Sequence, residues 1–415
     1  MTNPAPKSAP GQKPFTIAIC GGGIAGLALA IGFLRHNVPF HLYESANAFA
    51  EVGAVVSFGP NSLRAMTLID PKIREGYAKR ATGNAYTEKK TVWSDFHASM
   101  DCGVGKAGEK VATVNAGYIG NGCIPRAHFL DELVALVPDV NVTFGKRVVE
   151  VEELKDGVRL HFADGGKAEA SAAVGRDGVK SNLRHIVLGQ EDGAPHPSFT
   201  GKYAYRGLIP MEKAVGLLGD ELARNSVMWL GNHGHVLTFP IENGEMMNVV
   251  AFRTTGDGPW EDEKWVLPMD RKKRWKETSK TGARASRKFL GLMEKPDTYC
   301  KGRRTCLSGD AAHASHPNQG AGAGMALKDA YLMSNLLGTV QTSSGIEGAF
   351  RAFDGRQEAP DAEARDDESG RPGSCSSLRR KGVGGRCGCV ERESADEVIG
   401  GYGGGGSGAG FCGKA

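Results

Sequence analysis

Phe15-Thr-Ile-Ala-Ile-Cys20 followed by Gly21-Gly-Gly23-Ile-Ala-Gly26 reads as a short buried strand running straight into a glycine-rich turn. The spacing predicts a dinucleotide site. Gly21 permits the tight turn, Gly23 lets backbone approach a pyrophosphate, and Gly26 lets the following helix, Ile24 to about Arg35, sit close on the strand. The helix N-terminus then presents its unpaired N–H groups to the phosphates. A second apolar run, Val38-Pro-Phe-His-Leu-Tyr43, ends at Glu44, near the twenty-residue offset of a carboxylate that binds ribose hydroxyls. An acid there suits an adenosine ribose without a 2′-phosphate, as in FAD or NAD. Two other readings compete. Phe15 to Leu34 is nearly apolar over the length of a membrane span, but its glycines split it into strand and helix. The turn also fits an unrelated α/β fold.

Working outward, 415 residues provide material for two domains or one large one, and a net charge of +4, small for this size, argues neither for a nucleic-acid protein nor for a strongly acidic partner. Met1 to Pro14 is short and polar with no apolar core, so it reads as a disordered leader rather than a signal peptide, and no other window spans a membrane. A cytoplasmic location follows as the expectation. The nine cysteines include Cys20, Cys102, Cys123, Cys300 and Cys306, scattered without paired spacing, which suits a reducing compartment. Cys387-Gly-Cys389 lacks a partner pair at metal-ligand spacing, so no metal site is expected.

From Phe15 to about Leu188 strand and helix signals alternate, as a doubly wound α/β sheet requires. Ile124-Pro-Arg126 opens an amphipathic helix to Leu136. The runs 140–144, 148–152 and 158–162 alternate as half-buried strands, with Ala163-Asp-Gly-Gly166 as a hairpin turn. From about Gln190 the chain becomes strand-rich, including Tyr203-Ala-Tyr-Arg-Gly-Leu-Ile209, His235-Val-Leu-Thr-Phe239 and Met247-Asn-Val-Val-Ala-Phe252, which suggests an inserted antiparallel sheet. Arg271-Lys-Lys-Arg-Trp-Lys276 reads as a solvated basic face. Beyond about Asp354, Gly, Arg, Ser, Asp and Glu dominate, and such a composition does not bury enough apolar surface to offset the entropy of ordering it.

Three motifs stand in order: Gly21 to Gly26 with Glu44; Gly175-Arg-Asp177-Gly178-Val-Lys-Ser181-Asn-Leu-Arg184; and Gly309-Asp310-Ala-Ala-His313-Ala-Ser-His-Pro317-Asn-Gln-Gly320-Ala-Gly322-Ala-Gly324. Together they resemble the single-component (class A) FAD-dependent aromatic monooxygenases, most closely the fungal salicylate hydroxylase-like enzymes, over about Phe15 to Asp354. The resemblance implies a Rossmann-like FAD domain of the GR2 type with an inserted antiparallel substrate sheet. It divides the chain into a leader (1–14), the first part of the FAD domain (15–189), the substrate sheet (190–290), the second part of the FAD domain (291–354) and a low-complexity tail (355–415). Asp310 would accept hydrogen bonds from flavin ribityl hydroxyls. Gly320, Gly322 and Ala323 would bring backbone N–H groups and a helix N-terminus to the ring, where they favour the negative charge of reduced flavin. Pro317 matches the proline beside the flavin where oxygen reacts. Asp177 matches the acid near the pyrophosphate, and Arg126 the arginine on the FAD phosphates. Arg176 replaces the family's usual small residue and puts a bulky cation in a tight turn, where it is expected to weaken flavin binding or alter NADPH use.

For substrate chemistry the strands of the inserted sheet offer Tyr205, Arg206 and His235. The strand from His235 matches one that supplies an active-site histidine in related hydroxylases, here a base for a phenol, with Arg206 a partner for a carboxylate. The implied activity is hydroxylation of a small phenolic acid, salicylate-like and with loss of CO2 where the attacked carbon bears a carboxylate, through a flavin C4a-hydroperoxide. NAD(P)H and O2 are consumed. NAD(P)H visits transiently, in keeping with the absence of a second glycine fingerprint. Two alternatives stay open: hydroxylation or epoxidation of a larger metabolite, and an inactive flavin-binding relative. The second is motivated by Arg176, by a segment at Asp297-Thr-Tyr-Cys-Lys301 shorter than the family pattern, and by the tail, which replaces the expected closing helices.

Overall fold

The computed structural model describes residues 13–49, 55–101, 105–117, 119–189, 199–231, 234–254, 288–290, 300–315 and 320–362. At its centre the Ile17–Cys20 strand lies between Phe40–Tyr43 and Ala172–Gly175, parallel to both. Val142–Thr143 extends one side in parallel; Thr305–Leu307 in parallel and Cys300–Lys301 antiparallel extend the other, giving six strands. Ile17, Ala18 and Ile19 are fully buried, as are Ala172, Ala173 and Val174, because both faces of the parallel sheet are covered: helices contribute to the packing, and so does the Gly157–Phe162 strand, whose Val158, Leu160 and Phe162 belong to the same core. The Ile24–Arg35 helix follows the first strand directly, with the bounds its sequence predicts. It packs against the Gly322–Thr339 helix so tightly at Gly32 that an added Cβ would lie 2.6 Å from the Ser334 Cβ.

The half-buried runs after Val140 resolve into two arrangements. Val142–Thr143 completes the parallel sheet, whereas Val148–Leu154, Gly157–Phe162 and Lys167–Ala170 form a separate three-stranded antiparallel sheet with the hairpin turn at 163–166. Lys13, assigned from composition to a disordered leader, is docked: its Nζ donates to the Gly338 and Val340 carbonyls at 2.6 Å, at the C-terminal end of the Gly322–Thr339 helix. A cation there meets the negative helix pole. Past Asp354, the Ile346–Ala362 helix runs eight residues further than the composition break suggests. The rest of the tail, the 271–276 basic run and most of the shortened 297–301 segment lie outside the described residues.

The second sheet has seven strands in the order Lys288–Leu290, Phe199–Pro210, Met246–Thr254, Gly234–Ile241, Val227–Gly231, Val92–Ala98 and Lys110–Asn115. It extends beyond the 190–290 stretch expected for it, since its last two strands come from within the first part of the chain. All its pairings are antiparallel except Val227–Gly231 with Val92–Ala98. One face carries Phe239 and Ile241, which cluster with Cys123 of the small Val55–Ser57, Gly122–Pro125, Thr82–Gly83 sheet. The other face carries Met247, packed with Met211, Ala214 and Ala223 of two short helices. The Gly122–Pro125 strand continues straight into the Arg126–Val134 helix, so a single segment connects the underside of the second sheet to the first domain's cleft.

Candidate functional site

A cleft of about 360 Å³ opens at the carboxyl ends of the parallel strands, lined by Gly21, Gly22, Gly23, Glu44, Arg126, Asp177, Asp310, Gly322 and Ala323 among others. This is where an open α/β sheet places its ligand. Gly21 has φ 114°, and a Cβ on it would meet the Arg176 carbonyl oxygen at 2.4 Å; one on Gly26 would lie 1.9 Å from the Gly21 oxygen. Both positions therefore require glycine for different reasons, the first for its left-handed backbone and the second for helix-on-strand contact. Gly23 differs: its Cβ would stand 3.5 Å from Arg126 Nη2, across open cleft.

Two helices point their N-termini into this space. Ile24–Arg35 starts after Gly23 and Gly322–Thr339 after Ala321, and neither has a side-chain cap or an acidic residue in its first turn. Their positive poles are thus available to an anion. Gly320, with φ 65°, makes the turn into the second helix, and Pro317 lies outside the described residues. The Glu44 carboxylate is held over the glycine turn, its Oε2 accepting from the Gly22 N–H at 2.6 Å and its Oε1 from the Ala46 N–H at 2.7 Å. Arg126 is half-buried opposite; desolvation pulls its pKa down while the charge of Asp310 acts the other way. Asp310 follows Gly309, with φ 63°, and burial raises its carboxyl pKa against the opposing pull of His313 and Arg126. Asp177 lines the cleft, but its carboxylate caps the Asn182–Leu188 helix, accepting from Ser181 Oγ and from the backbone N–H groups of Asn182 at 2.8 Å and Leu183 at 3.2 Å.

Arg176 does not crowd the turn. Its side chain runs inward, Nη1 donating to the Ala25 carbonyl at 2.6 Å and Nη2 to Ser308 Oγ at 2.7 Å, with a longer contact to the Ala326 carbonyl at 3.3 Å. It joins the first turns of both cleft helices to the end of the Thr305–Leu307 strand. Burial lowers its pKa to about 10, with the charge of Asp329 opposing, so it stays a cation at neutral pH. Sequence reasoning missed Asp329, whose buried Oδ2 accepts from the Gly309 N–H at 2.8 Å, from Ser308 Oγ at 3.1 Å and from His313 Nε2 at 2.7 Å. Its signal was a lone acid on the apolar helix face shared with Ala326, Ala330 and Met333. Arg184, which ends the second motif, is fully buried; it donates to the Ala312 carbonyl at 2.7 Å and so holds the short Asp310–His313 helix, a role its motif position does not reveal.

The dimensions and donors fit FAD. The turn bare of side chains, the two uncapped helix ends, an arginine between them and two carboxylates match a pyrophosphate flanked by ribose and ribityl hydroxyls, and a Cβ at Gly23 would project into the cleft toward Arg126. Tyr205, Arg206 and His235 do not line this cleft. On the second sheet His235 is opposite Phe252, onto which its ring stacks at 4.8 Å, and Arg206 is opposite Val250, so the two-residue period places both on the face that bears Phe239. Tyr205 is opposite Ala251, on the other face with Met247. The register thus brings His235 and Arg206 together and sets Tyr205 apart. Among the described residues, no group of three or more metal-ligating side chains occurs, and no helix is long and apolar enough to cross a membrane.

No family model matches the chain. It is 38% identical over 358 residues to a 6-methylsalicylate 1-monooxygenase of Aspergillus terreus, covering 81% of this chain and 78% of that protein. An FAD-dependent monooxygenase of Monascus ruber is 38% identical over 343 residues, covering 78% and 76%. A solved salicylate hydroxylase in complex with its substrate superimposes with a TM-score of 0.71 at 32% identity, covering 93% of each chain.

Proposed function

The chain belongs to the FAD-dependent monooxygenases related to salicylate hydroxylase, and on that premise we propose that it hydroxylates a salicylate-like phenolic acid, releasing CO2 where the incoming oxygen replaces a carboxylate. FAD is the cofactor, NAD(P)H the cosubstrate, and the reaction takes up O2. When bound, the flavin accepts hydride from NAD(P)H and delivers one oxygen atom of O2 to the ring. Everything else is done by the chain's own groups.

Glu44 binds the ribose hydroxyls, giving up its hold on the Gly22 N–H or sharing it. Arg126 and the Ile24–Arg35 helix N-terminus neutralise the pyrophosphate, and Asp310 accepts from the ribityl chain. The N-terminus of Gly322–Thr339 would supply a positive pole that favours the negative charge of the reduced flavin. Asp177 contributes through the helix it caps, which fixes that wall of the cleft. Over this frame the second sheet supplies the substrate groups. His235 Nε2 takes the phenol proton, making the ring electron-rich, while Arg206 pairs with the carboxylate. They flank the intervening Met246–Thr254 strand with a two-residue offset, so their Cα atoms are roughly 12 Å apart from standard strand spacing, a distance their side chains span around one aromatic ring. A cytoplasmic setting belongs to the same proposal, supported by thiols buried in the core at Cys20, Cys123 and Cys306.

The single observation that carries the reading is the pairing of His235 and Arg206 on the one sheet face that continues, through Phe239, Cys123 and the Gly122–Pro125 strand, to Arg126 in the cleft. Its test is direct. The purified holoprotein is screened with salicylate, its ring-methylated analogues and other phenolic acids for stimulated NAD(P)H oxidation, with product and CO2 measured together. Stoichiometric flavin without stimulation by any carboxylated phenol would overturn it.

A further inference from the structure

We propose that Cys300 and Cys306 form a peroxide-oxidisable thiol pair, closing to a disulfide on the strand that leads into the FAD cleft. The two residues are directly opposed across the antiparallel Cys300–Lys301 and Thr305–Leu307 strands, and their Sγ atoms are 2.8 Å apart. Opposed residues in such a ladder have Cα atoms about 4.5 or 5.5 Å apart, and both values lie inside the roughly 4.4–6.8 Å that a disulfide spans. No backbone rearrangement is needed for closure. The exposures differ in the useful direction: Cys300 is half-buried at the sheet's edge, whereas Cys306 is fully buried. Burial, together with the neighbouring Cys300 sulfur, pushes the Cys306 thiol pKa well up. Cys300 is therefore the sulfur an oxidant meets, and Cys306 the sulfur that resolves the product.

The oxidant is hydrogen peroxide. The Cys300 thiolate attacks one peroxide oxygen, the O–O bond breaks, and with one proton the leaving hydroxide becomes water, giving a sulfenic acid on Cys300. The Cys306 sulfur then attacks the Cys300 sulfur, the S–O bond breaks, and the departing hydroxide takes the Cys306 proton as a second water. Two thiols and one peroxide yield one disulfide and two waters; each sulfur loses one electron and the peroxide gains two. Location gives the step its consequence. Cys306 is four residues before Asp310, and the intervening Ser308 donates its N–H to the Gly175 carbonyl at 3.0 Å. Closure staples the outermost strand of the sheet to the strand that carries the cleft's Asp310 turn.

The full-length holoprotein, reduced and then exposed to equimolar hydrogen peroxide, is alkylated and digested with trypsin, which separates the two cysteines at Lys301, Arg303 and Arg304. The expected result is a peptide pair joined through Cys300 and Cys306, released by dithiothreitol and absent from Cys300→Ser. In Cys306→Ala, a sulfenic acid on Cys300 should be trapped by dimedone. Both cysteines remaining alkylatable, Cys300 passing to sulfinic acid without a cross-link, or Cys300 joining a different cysteine such as Cys375 or Cys412 would each overturn the proposal. The unmodified chain by itself distinguishes these outcomes, so poor folding of either variant does not remove the test.

Discussion

His313 Nε2 lies 2.7 Å from Asp329 Oδ2, joining the Asp310–His313 turn to the core of the Gly322–Thr339 helix beneath the cleft. Burial works to lower the His313 pKa, but the charge and hydrogen bond of Asp329 outweigh it and the net shift is upward. For Asp329, burial works to raise the pKa; the charge and hydrogen bond of His313, with the Arg176 charge and the Gly309 N–H, carry it below the ordinary value. The signs set a stability window. A raised histidine stabilises the fold fully below its unfolded pKa of about 6.5 and loses that contribution as pH rises through the folded value. A depressed carboxyl stabilises above its unfolded value and loses its contribution as pH falls through the folded one. Urea midpoints should therefore hold a plateau in mildly acidic buffer and fall on both sides, and Asp329→Asn should remove the alkaline limb. A midpoint in Asp329→Asn that declines with rising pH just as the parent does would refute the pairing.

Arg176 gives the second expectation, and it reverses the one drawn from the motif. A small residue here is the family's usual choice, so Arg176→Ala looks like a repair. In this chain it removes the buried cation's hydrogen bonds to three carbonyl or hydroxyl partners, each bond to a charged group being worth about 1.5–3 kcal/mol, and takes a favourable charge from the neighbourhood of Asp329. Arg176→Ala should unfold at a lower temperature and hold FAD less tightly, read by differential scanning and by flavin fluorescence on titration of the apoprotein. An unchanged melting temperature with tighter FAD would mean that Arg176 hinders the flavin after all.

The glycines of the turn separate in a third test. Gly26→Ala forces a Cβ to 1.9 Å from the Gly21 carbonyl oxygen, backbone against backbone, so the strand–helix contact fails and soluble folded protein should be lost. Gly23→Ala adds a Cβ 3.5 Å from Arg126 Nη2, ordinary contact, and should fold with its circular dichroism intact while binding FAD more weakly, because the methyl occupies pyrophosphate space. Equal FAD content in Gly23→Ala and the parent would show that the pyrophosphate lies elsewhere.

What was legible in the sequence follows from the range of the interactions involved. Strand, turn and helix from Phe15 to Arg35 are local and periodic, and the structure places them where the pattern does. The Ala163–Gly166 hairpin is equally local. By contrast, the join of Val92–Ala98 to Val227–Gly231 pairs residues more than a hundred positions apart, and nothing in either strand names its partner. Lys13 looked like leader because its partners are carbonyls some 325 residues away, a contact with no compositional trace. Asp177 matched a motif position, yet whether its carboxylate faces a ligand or caps a helix depends on Ser181 and Asn182 just downstream, a Ser-Asn cap signal present in the sequence. The Arg176–Asp329–His313 network was illegible because its members come from three separate elements and only their burial makes their charges matter.

The last prediction concerns the sheet face. Strand alternation puts His235 and Arg206 on one side and Tyr205, adjacent in sequence to Arg206, on the other with Met247 and the Met211–Leu218 helix. If the substrate lies on the His235 side, the three positions must respond differently. His235→Asn should cut kcat by roughly 10²–10⁴-fold, the usual worth of a positioned base, and erase the acid limb of the pH profile, where falling pH protonates the base. Arg206→Gln removes a charge-assisted hydrogen bond worth about 1.5–3 kcal/mol, so KM for carboxylated phenols should rise roughly ten- to a hundredfold while KM for the matching phenols without a carboxylate stays put. Tyr205→Phe should leave kcat and KM unchanged and alter only stability. Steady-state kinetics on the three variants with one carboxylated and one plain phenol decides the matter. A large kinetic defect in Tyr205→Phe with a silent His235→Asn would mean that the substrate approaches the opposite face, and the assignment of the base would have to move with it.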